Sequence, residues 1–410
     1  NNMKLRQMRM LESNSDRADM FVQSFINGTD WADEVAWIEN LSKVTKQDVI
    51  DWANKYLSDN SYAVIYKRQG EDKTVQKVSA PKITPIKANR DAQSAFLAEI
   101  QATEVTPIEP VYVDYDKDMS IFDVNGLEVL YAQNELNDIT YVTYSYNKGA
   151  TQDPALNLAF SYLSYLGTPT RSAEEIAQQM YQLACGFNMG SGSSTTSISV
   201  NGLAENMPQA MEIVEDLAYN AIPDEAILAN LKADIFKSRI DAKLSQGSCF
   251  SALQSYILYG PEYIKQVTMS NQQIHALTSE ELLAKVRDIL GCQHEIRYYG
   301  PASETEAAEL LKANHKIAED LKPLQKQYIK YLTVDQSKVY LAPYDAKQIR
   351  YIQFSNRGEK LDLAADPYLT LYNEYFGGGM NAIVFQEMRE ARGLAYSSSA
   401  RLYMPSLKDD

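Results

Sequence analysis

At 410 residues, the chain exceeds the roughly 250 to 300 residues at which a single hydrophobic core stops growing, so more than one domain is expected. Its composition, 45% hydrophobic and 23% charged, is typical of a folded globular protein and excludes a disordered or fibrous one. The net charge of -15, with no basic face in the sequence, argues against nucleic acid as a partner.

The first strong helical signal lies near the beginning of the chain. Thr45 and Asp48 have the spacing of a capping box, and apolar residues then recur at helical spacing. This helix is expected to lead into a short strand that ends near Lys67. We interpret residues 1–80 as the C-terminal end of one module. Residues 81–110 are rich in Pro, Lys, Ala and acidic residues, which predicts an extended linker with a short helix inside it.

The next part of the chain mixes strands with amphipathic helices. Alternating apolar residues predict strands at Leu127–Tyr131, Ile139–Tyr146 and Thr195–Gly202. Helical spacing predicts one helix marked by Met207, Met211, Val214 and Leu217, and another marked by Ile227, Leu228, Leu231 and Ile235. Strands at both ends of a group of helices indicate an α+β module, and we predict that it spans residues 111–325.

A serine-rich stretch, Gly190–Gly202, lies within this module. Ile198 and Val200 alternate with polar residues, as in an exposed β-strand. Sequence logic brings no histidine within reach to act as a base, so we interpret the stretch as a strand and not as the site of a nucleophile.

Metal-ligating residues are few. Three histidines are present, none at metal-ligand spacing from another, and we interpret them as surface or structural residues: His275, His294 and His315. Three cysteines are present and are interpreted as buried thiols: Cys185, Cys249 and Cys292.

Parts of the sequence repeat after roughly 210 to 230 residues, a spacing that fits an ordinary domain. The capped helix at Thr45 has a counterpart that begins at Thr278. The segment Asp138–Gly149 corresponds to Lys347–Gly358, and each is an alternating strand followed by a charged turn and an Asp-Pro pair. Residues 326–410 are therefore predicted to begin a further module.

This last segment carries the most specific motif in the chain, EYFGGGMNAIVFQEMREARGLAYSSSARLY (Glu374–Tyr403). Its glycine triplet permits close backbone approaches that side chains would block, or else simply ends a helix: Gly377, Gly378 and Gly379. Arg389 lies on the helix that follows, and Tyr396 comes just beyond Gly393, where a strand is predicted to begin. Arg392 is a second cation one helical turn away, but the spacing to Tyr396 favours Arg389.

The order and spacing of these elements closely resemble a segment in the C-terminal half of zinc peptidases of the pitrilysin/insulinase (inverzincin) family. The resemblance implies repeated α+β modules of mixed or antiparallel sheet covered by helices, arranged as two halves that close around a peptide. It also implies that Arg389 and Tyr396 contact the substrate near the scissile bond. A guanidinium and a phenol can donate to peptide carbonyls and stabilise a developing oxyanion.

The zinc-binding signature of this family is H-x-x-E-H on a helix. The resemblance places it about ten residues before a Gly-Thr pair, which in the module 111–325 is Gly167-Thr168. The motif positions then fall on residues that cannot bind zinc: Leu158, Ala159, Phe160, Ser161 and Tyr162. The module is therefore interpreted as a zinc-motif-degenerate copy, with zinc bound by the full-length protein outside this chain.

The resemblance thus implies a bacterial zinc-dependent metalloendopeptidase that hydrolyses a peptide or an unfolded protein. The catalytic half is expected either N-terminal in the same chain or in a separate subunit, and the 410-residue chain alone is expected to be inactive. A noncatalytic partner, a scaffold or a peptide-binding subunit of the same family is the alternative. Acidic charge and few cysteines fit a bacterial periplasm or cytoplasm equally.

Overall fold

The computed structural model describes residues 1–57, 62–70, 74, 78–82 and 93–405. Two compact units are present, one formed by residues 6–118 and the other by residues 1–5 together with 119–410. Residues 83–92 of the predicted linker and residues 406–410 of the predicted last module lie outside the described residues. The bounds of the four predicted segments remain predictions.

Short helices make up the beginning of the chain, and side-chain caps start several of them. They are α1 (Asn2–Glu12), α2 (Asn14–Asn27), α3 (Trp31–Val35), α4 (Trp37–Ser42), α5 (Lys46–Tyr56), α6 (Ala95–Ala102) and α7 (Tyr115–Asp118). The predicted capping box is confirmed, since the Thr45 N–H donates to Asp48 at 2.8 Å and the Asp48 N–H donates to Thr45 Oγ1 at 3.2 Å. The strand predicted to follow is wrong for residues 62–67, which pair with no strand in the described part of the chain. An isolated strand has no neighbour to satisfy its backbone groups.

A six-stranded mixed sheet forms the centre of the larger unit, with strand order β1-β2-β6-β3-β5-β4 among the described residues. The strands are β1 (Ser120–Val124), β2 (Leu127–Gln133), β3 (Ile139–Tyr146), β4 (Cys185–Ser191), β5 (Thr196–Leu203) and β6 (His294–Gly300). Only the β2–β6 pairing is parallel among the sheet's neighbours. The three predicted strands are confirmed to within two residues at each end. β5 is an interior strand with Ile198 and Val200 buried, so the expectation that it is exposed was wrong.

Helices cover the buried face of this sheet. They are α8 (Leu156–Leu163), α9 (Ala173–Gln182), α10 (Met207–Asn220), α11 (Glu225–Lys243), α12 (Gln246–Val267), α13 (Asn271–Ala276), α14 (Ser279–Leu290) and α15 (Glu304–Asn314). The four apolar residues that predicted α10 are all buried in the core, whereas in α11 only Leu228 is fully buried. The predicted α+β class, with a mixed sheet covered by helices, is confirmed.

Helix α12 is kinked, and beside the kink it contacts the last part of the chain. Gly260 has left-handed backbone dihedrals (φ 80°) and precedes Pro261, which has no N–H to continue the helix. The carbonyl of Leu258 instead accepts a hydrogen bond from the Leu332 N–H at 2.8 Å. Tyr259 also stacks on Tyr331, with ring centroids 5.1 Å apart.

The end of the chain is mostly irregular, with a short helical core. It contains α16 (Asp366–Asn373), a π-helical turn at Glu374–Gly378, α17 (Ile383–Phe385) and a second π-helical turn at Gln386–Glu390. The strands predicted at Lys347–Gly358 and just after Gly393 are wrong, because neither segment pairs with a strand in the described residues. The counterpart of the first, β3, is hydrogen-bonded on both sides. No described helix has the length and apolar character needed to cross a membrane.

Candidate functional site

Helix α8 contains the five sequence positions at which the family pattern would place the zinc-binding motif. Leu158, Ala159, Phe160 and Tyr162 are buried in the core against the sheet and neighbouring helices. The Tyr162 hydroxyl accepts from the Asp224 N–H at 2.6 Å and lies 2.9 Å from Ser279 Oγ. Tyr162 therefore joins α8 to the beginnings of α11 and α14. These positions serve packing, and the residues here do not fit zinc: nowhere in the described part of the chain do three or more His, Cys, Asp or Glu form a group that could hold a metal ion.

The glycine triplet combines a close backbone contact with the end of a helix. Gly377 is buried, and a Cβ atom there would lie 2.1 Å from the carbonyl oxygen of Ala400. The π-helical turn ends at Gly378, and Gly379 continues in an extended conformation with open space where its side chain would be. Close approach and helix termination, the two interpretations made from sequence, thus apply to different glycines of the triplet.

Asn373, four residues before Gly377, binds the same segment. Its side-chain Nδ2 donates to the Leu402 carbonyl at 2.9 Å, and its Oδ1 accepts from the Leu402 N–H at 2.8 Å. This pair of bonds imitates a strand neighbour. Sequence reasoning missed Asn373, because its partner lies 29 residues away and no local pattern identifies it. Together, Asn373 and Gly377 fix the chain that follows Tyr396 against the helix that precedes Arg389.

The structure brings Arg389 and Tyr396 together. The guanidinium carbon of Arg389 lies 4.4 Å from the centroid of the Tyr396 ring and 4.7 Å from that of Phe385. The chain reverses between them at Gly393 (φ 59°), whose N–H donates to the Arg389 carbonyl at 3.0 Å. Tyr396 is 84% exposed. A cation held over ring faces keeps its N–H groups available for hydrogen bonds.

The second arginine has a different environment. Arg392 forms an ion pair with Glu387, with 3.1 Å between Nη2 and Oε2. The contact from Arg389 to a carboxylate is longer, 3.5 Å from Nε to Oε1 of Glu390. The stacked pair with Tyr396 is therefore specific to Arg389, the arginine that the spacing favoured.

Comparison with known proteins finds relatives among zinc proteases. No family model matches the chain. An uncharacterized zinc protease of Rickettsia felis is 22% identical over 293 residues, which cover 67% of this chain and 67% of that protein. An uncharacterized zinc protease of Streptomyces coelicolor is 22% identical over 280 residues, 63% of this chain and 58% of that protein.

Solved structures of a peptidase domain and a protease are also similar to the chain, in their fold. A peptidase M16 inactive domain from Pseudomonas fluorescens matches with a TM-score of 0.52 at 16% identity, covering 68% of this chain and 69% of that one. The chain thus resembles the pitrilysin/insulinase (M16) family of zinc peptidases in both sequence and fold. The periplasmic protease PqqL from Escherichia coli shares the fold at 14% identity and a TM-score of 0.54, and the match covers 90% of this chain but 38% of PqqL. The chain thus spans 58 to 67% of the length of the two curated relatives.

The burial of the histidine and cysteine side chains agrees only in part with the sequence interpretation. His294 and His315 are both buried and in contact with each other, so they are structural and not surface residues. His275 stacks on Phe236 with ring centroids 4.3 Å apart. Cys185 and Cys292 are buried, but Cys249 is partly exposed, so the prediction of three buried thiols was wrong for that residue.

Proposed function

We propose that the chain is part of a zinc-dependent metalloendopeptidase and supplies substrate-binding residues to it. Zinc and the water-activating glutamate belong, on this proposal, to a module outside the chain. The observation that carries the proposal is the pairing of the half-buried Arg389 with the exposed Tyr396, in which the guanidinium carbon lies 4.4 Å from the centroid of the phenol ring. The pair consists of the two side chains that, according to the family motif, contact the substrate.

The pair offers two kinds of donor at one place. The Arg389 guanidinium donates to peptide carbonyl oxygens, and the Tyr396 hydroxyl donates to an oxygen on which negative charge develops. The guanidinium carbon lies 4.4 Å from the centroid of the Tyr396 ring, so both side chains address one short stretch of peptide. The substrate is accordingly a peptide or an unfolded protein, and the partner is a zinc-bearing half, in the same chain or in a separate subunit.

A noncatalytic partner or scaffold subunit of the family is the second candidate. The buried apolar residues of α8 support it, because they stand at the positions where the family motif would place zinc ligands. The two candidates differ in what the rest of the full-length protein contains. A peptidase requires an H-x-x-E-H helix there, and a scaffold does not.

The decisive experiment measures zinc content and peptide cleavage in the full-length protein and in its Arg389→Ala and Tyr396→Phe variants. We expect each substitution to lower kcat/KM by roughly 10²-fold, as for loss of a donor to an oxyanion, with zinc content unchanged. Arg392→Ala is the matched control, because it removes the neighbouring arginine and its ion pair with Glu387. It should retain nearly full activity.

Two results would contradict the proposal. A full-length protein that holds no zinc and cleaves no peptide favours the scaffold. An equal loss of activity in Arg392→Ala and Arg389→Ala removes the special role of the stacked pair.

A further inference from the structure

Three ionisable side chains meet inside the larger unit, far from the motif residues. Glu215 lies on α10, His294 begins β6, and His315 follows the last residue of α15. The Nε2 atoms of the two histidines are 2.9 Å apart, and His315 Nδ1 lies 2.6 Å from Glu215 Oε1. The side chains of His315 and Glu215 are only 2% and 5% exposed. We call these three residues the buried triad.

The hydrogen-bond partners determine how many protons the triad holds. The Cys292 carbonyl can only accept, so His294 Nδ1, at 2.9 Å, carries a hydrogen. One proton lies between the two Nε2 atoms, and one lies between His315 Nδ1 and the Glu215 carboxylate. The Lys316 N–H donates to the other oxygen of the Glu215 carboxylate at 3.3 Å. With these three protons the triad is neutral overall, and every contact within it is a hydrogen bond.

A fourth proton cannot be accommodated in this geometry. It would place two N–H groups head to head across the 2.9 Å between the Nε2 atoms, or put a hydrogen on the carboxylate oxygen that already accepts from Lys316. Tyr144 stacks on the His315 ring, with centroids 3.9 Å apart and planes at 15°. Such stacking on a ring face favours the positive charge on His315 and therefore a neutral His294.

The triad holds the connecting segment, residues 315–324, which leads from α15 toward the part of the chain that carries Arg389. Other hydrogen bonds also hold this segment: the Tyr219 hydroxyl donates to the Lys316 carbonyl at 2.9 Å, and the Gln293 N–H donates to the Lys322 carbonyl at 2.8 Å. His315 and Lys316 nevertheless bind Glu215 directly, at the segment's start. We infer that the buried triad is an acid-sensitive clasp, which keeps the connecting segment on the sheet near neutral pH and releases it when His294 gains a proton.

The surroundings of the triad support release of the segment at acid pH. Burial lowers the pKa of His294 from 6.5 to about 4, and the positive charge of His315 lowers it further, against the opposing effect of the Cys292 carbonyl. Between pH 4 and 6.5 the protein with the segment open therefore binds more protons, at His294, than the protein with the segment closed, so closure is favoured above pH 6.5 and is lost toward pH 4.

Other titratable or charged groups face the triad or lie next to it from each neighbouring element: Tyr144 and Tyr146 on β3, Tyr219 on α10, Cys292 before β6, Lys316 after α15, and Asp288 on α14 with its partners Lys148 and Lys322. Burial raises the pKa of the two β3 phenols well above 10, so they stay neutral throughout the acid range.

Amide hydrogen exchange of the connecting segment tests the clasp in the whole chain, with labelling times adjusted for the intrinsic pH dependence of exchange. A change in the pKa of His294 from about 4 to 6.5 on opening predicts roughly thirtyfold faster exchange at pH 5 than at pH 7.5. His294→Gln places an oxygen where Nε2 was, which accepts from His315 but cannot titrate. This variant should show no such acceleration.

His275→Gln is the matched control, since it changes the histidine on α13 that lies outside the triad, and it should respond to pH as the unchanged chain does. Equal protection at both pH values in the unchanged chain would overturn the inference, as would an undiminished acceleration in His294→Gln. If that variant does not fold, ring NMR of the unchanged chain decides. Titration of His294 with a midpoint near 6.5 while the segment stays protected would also overturn it.

Discussion

Gly377 shows how the absence of one side chain allows two segments to meet. Its backbone lies so close to Ala400 that an added methyl group would fall within 2.1 to 2.8 Å of three backbone atoms. Backbone atoms cannot rotate away as a flexible side chain can, so the extended chain after Tyr396 would have to move. The neighbouring Gly379 has nothing within 4 Å of the same position.

These two glycines give a matched pair of substitutions. We expect Gly377→Ala to lower the local free energy of unfolding of this segment by about 1 to 3 kcal/mol, as overpacking does. Gly379→Ala should leave it unchanged or raise it by about 0.5 kcal/mol, because alanine restricts the unfolded chain. Amide exchange of residues 398–403 measures both. Equal effects of the two substitutions would show that the contact at Ala400 does not constrain the segment.

At the scale of elements, α8 shows how a helix is fixed by apolar packing and one buried hydroxyl. Tyr162 is fully buried, and its hydroxyl lies at the junction of three helices. Tyr162→Phe leaves the Asp224 N–H and the Ser279 hydroxyl without this partner. We expect a loss of about 1 to 3 kcal/mol in the free energy of unfolding, measured by urea titration. Tyr165→Phe, at a 56% exposed tyrosine two residues beyond α8, should change it little, and a similar loss there would argue against the junction.

Local periodicity predicted the elements that have neighbours, and it failed where neighbours are absent. The alternation of Ile139–Tyr146 predicted β3 to the residue, and the spacing from Met207 to Leu217 predicted α10. The same alternation at Lys347–Gly358 gives no strand, and Ile349 is 94% exposed there. A strand pattern records which face is to be buried, whereas the hydrogen bonds must come from other segments.

The candidate site was predictable only as far as its motif extends. Arg389 and Tyr396 belong to one continuous stretch, so the resemblance identified both. The bond from Asn373 to Leu402 and the buried triad join residues that are 21 to 100 positions apart, and no periodicity relates them. Only the folded sheet brings Glu215, His294 and His315 together.

For the whole molecule, the proposed division of labour predicts complementation. Mixing this chain with the separately produced remainder of the full-length protein should restore zinc-dependent peptide cleavage, because substrate contacts and zinc then come from two pieces. The same chain with Arg389→Ala should restore little activity, and with Arg392→Ala it should restore nearly all. Full activity of the remainder alone would show that this chain is not needed for cleavage.

The position of β6 has a consequence for how the protein is made in the cell. β6 lies between β2 and β3, yet it is the last strand of the sheet to be synthesised. About 160 residues separate the end of β2 from the start of β6, which at about 5 to 20 residues per second is an interval of roughly 10 to 30 seconds on the ribosome. During that time the β1–β2 hairpin and the β3–β5–β4 group are two half-sheets with unpaired edges, each able to bind a wrong partner. We therefore expect the yield of this module in cells to depend on translation rate and chaperone supply as much as on the stability of the finished sheet.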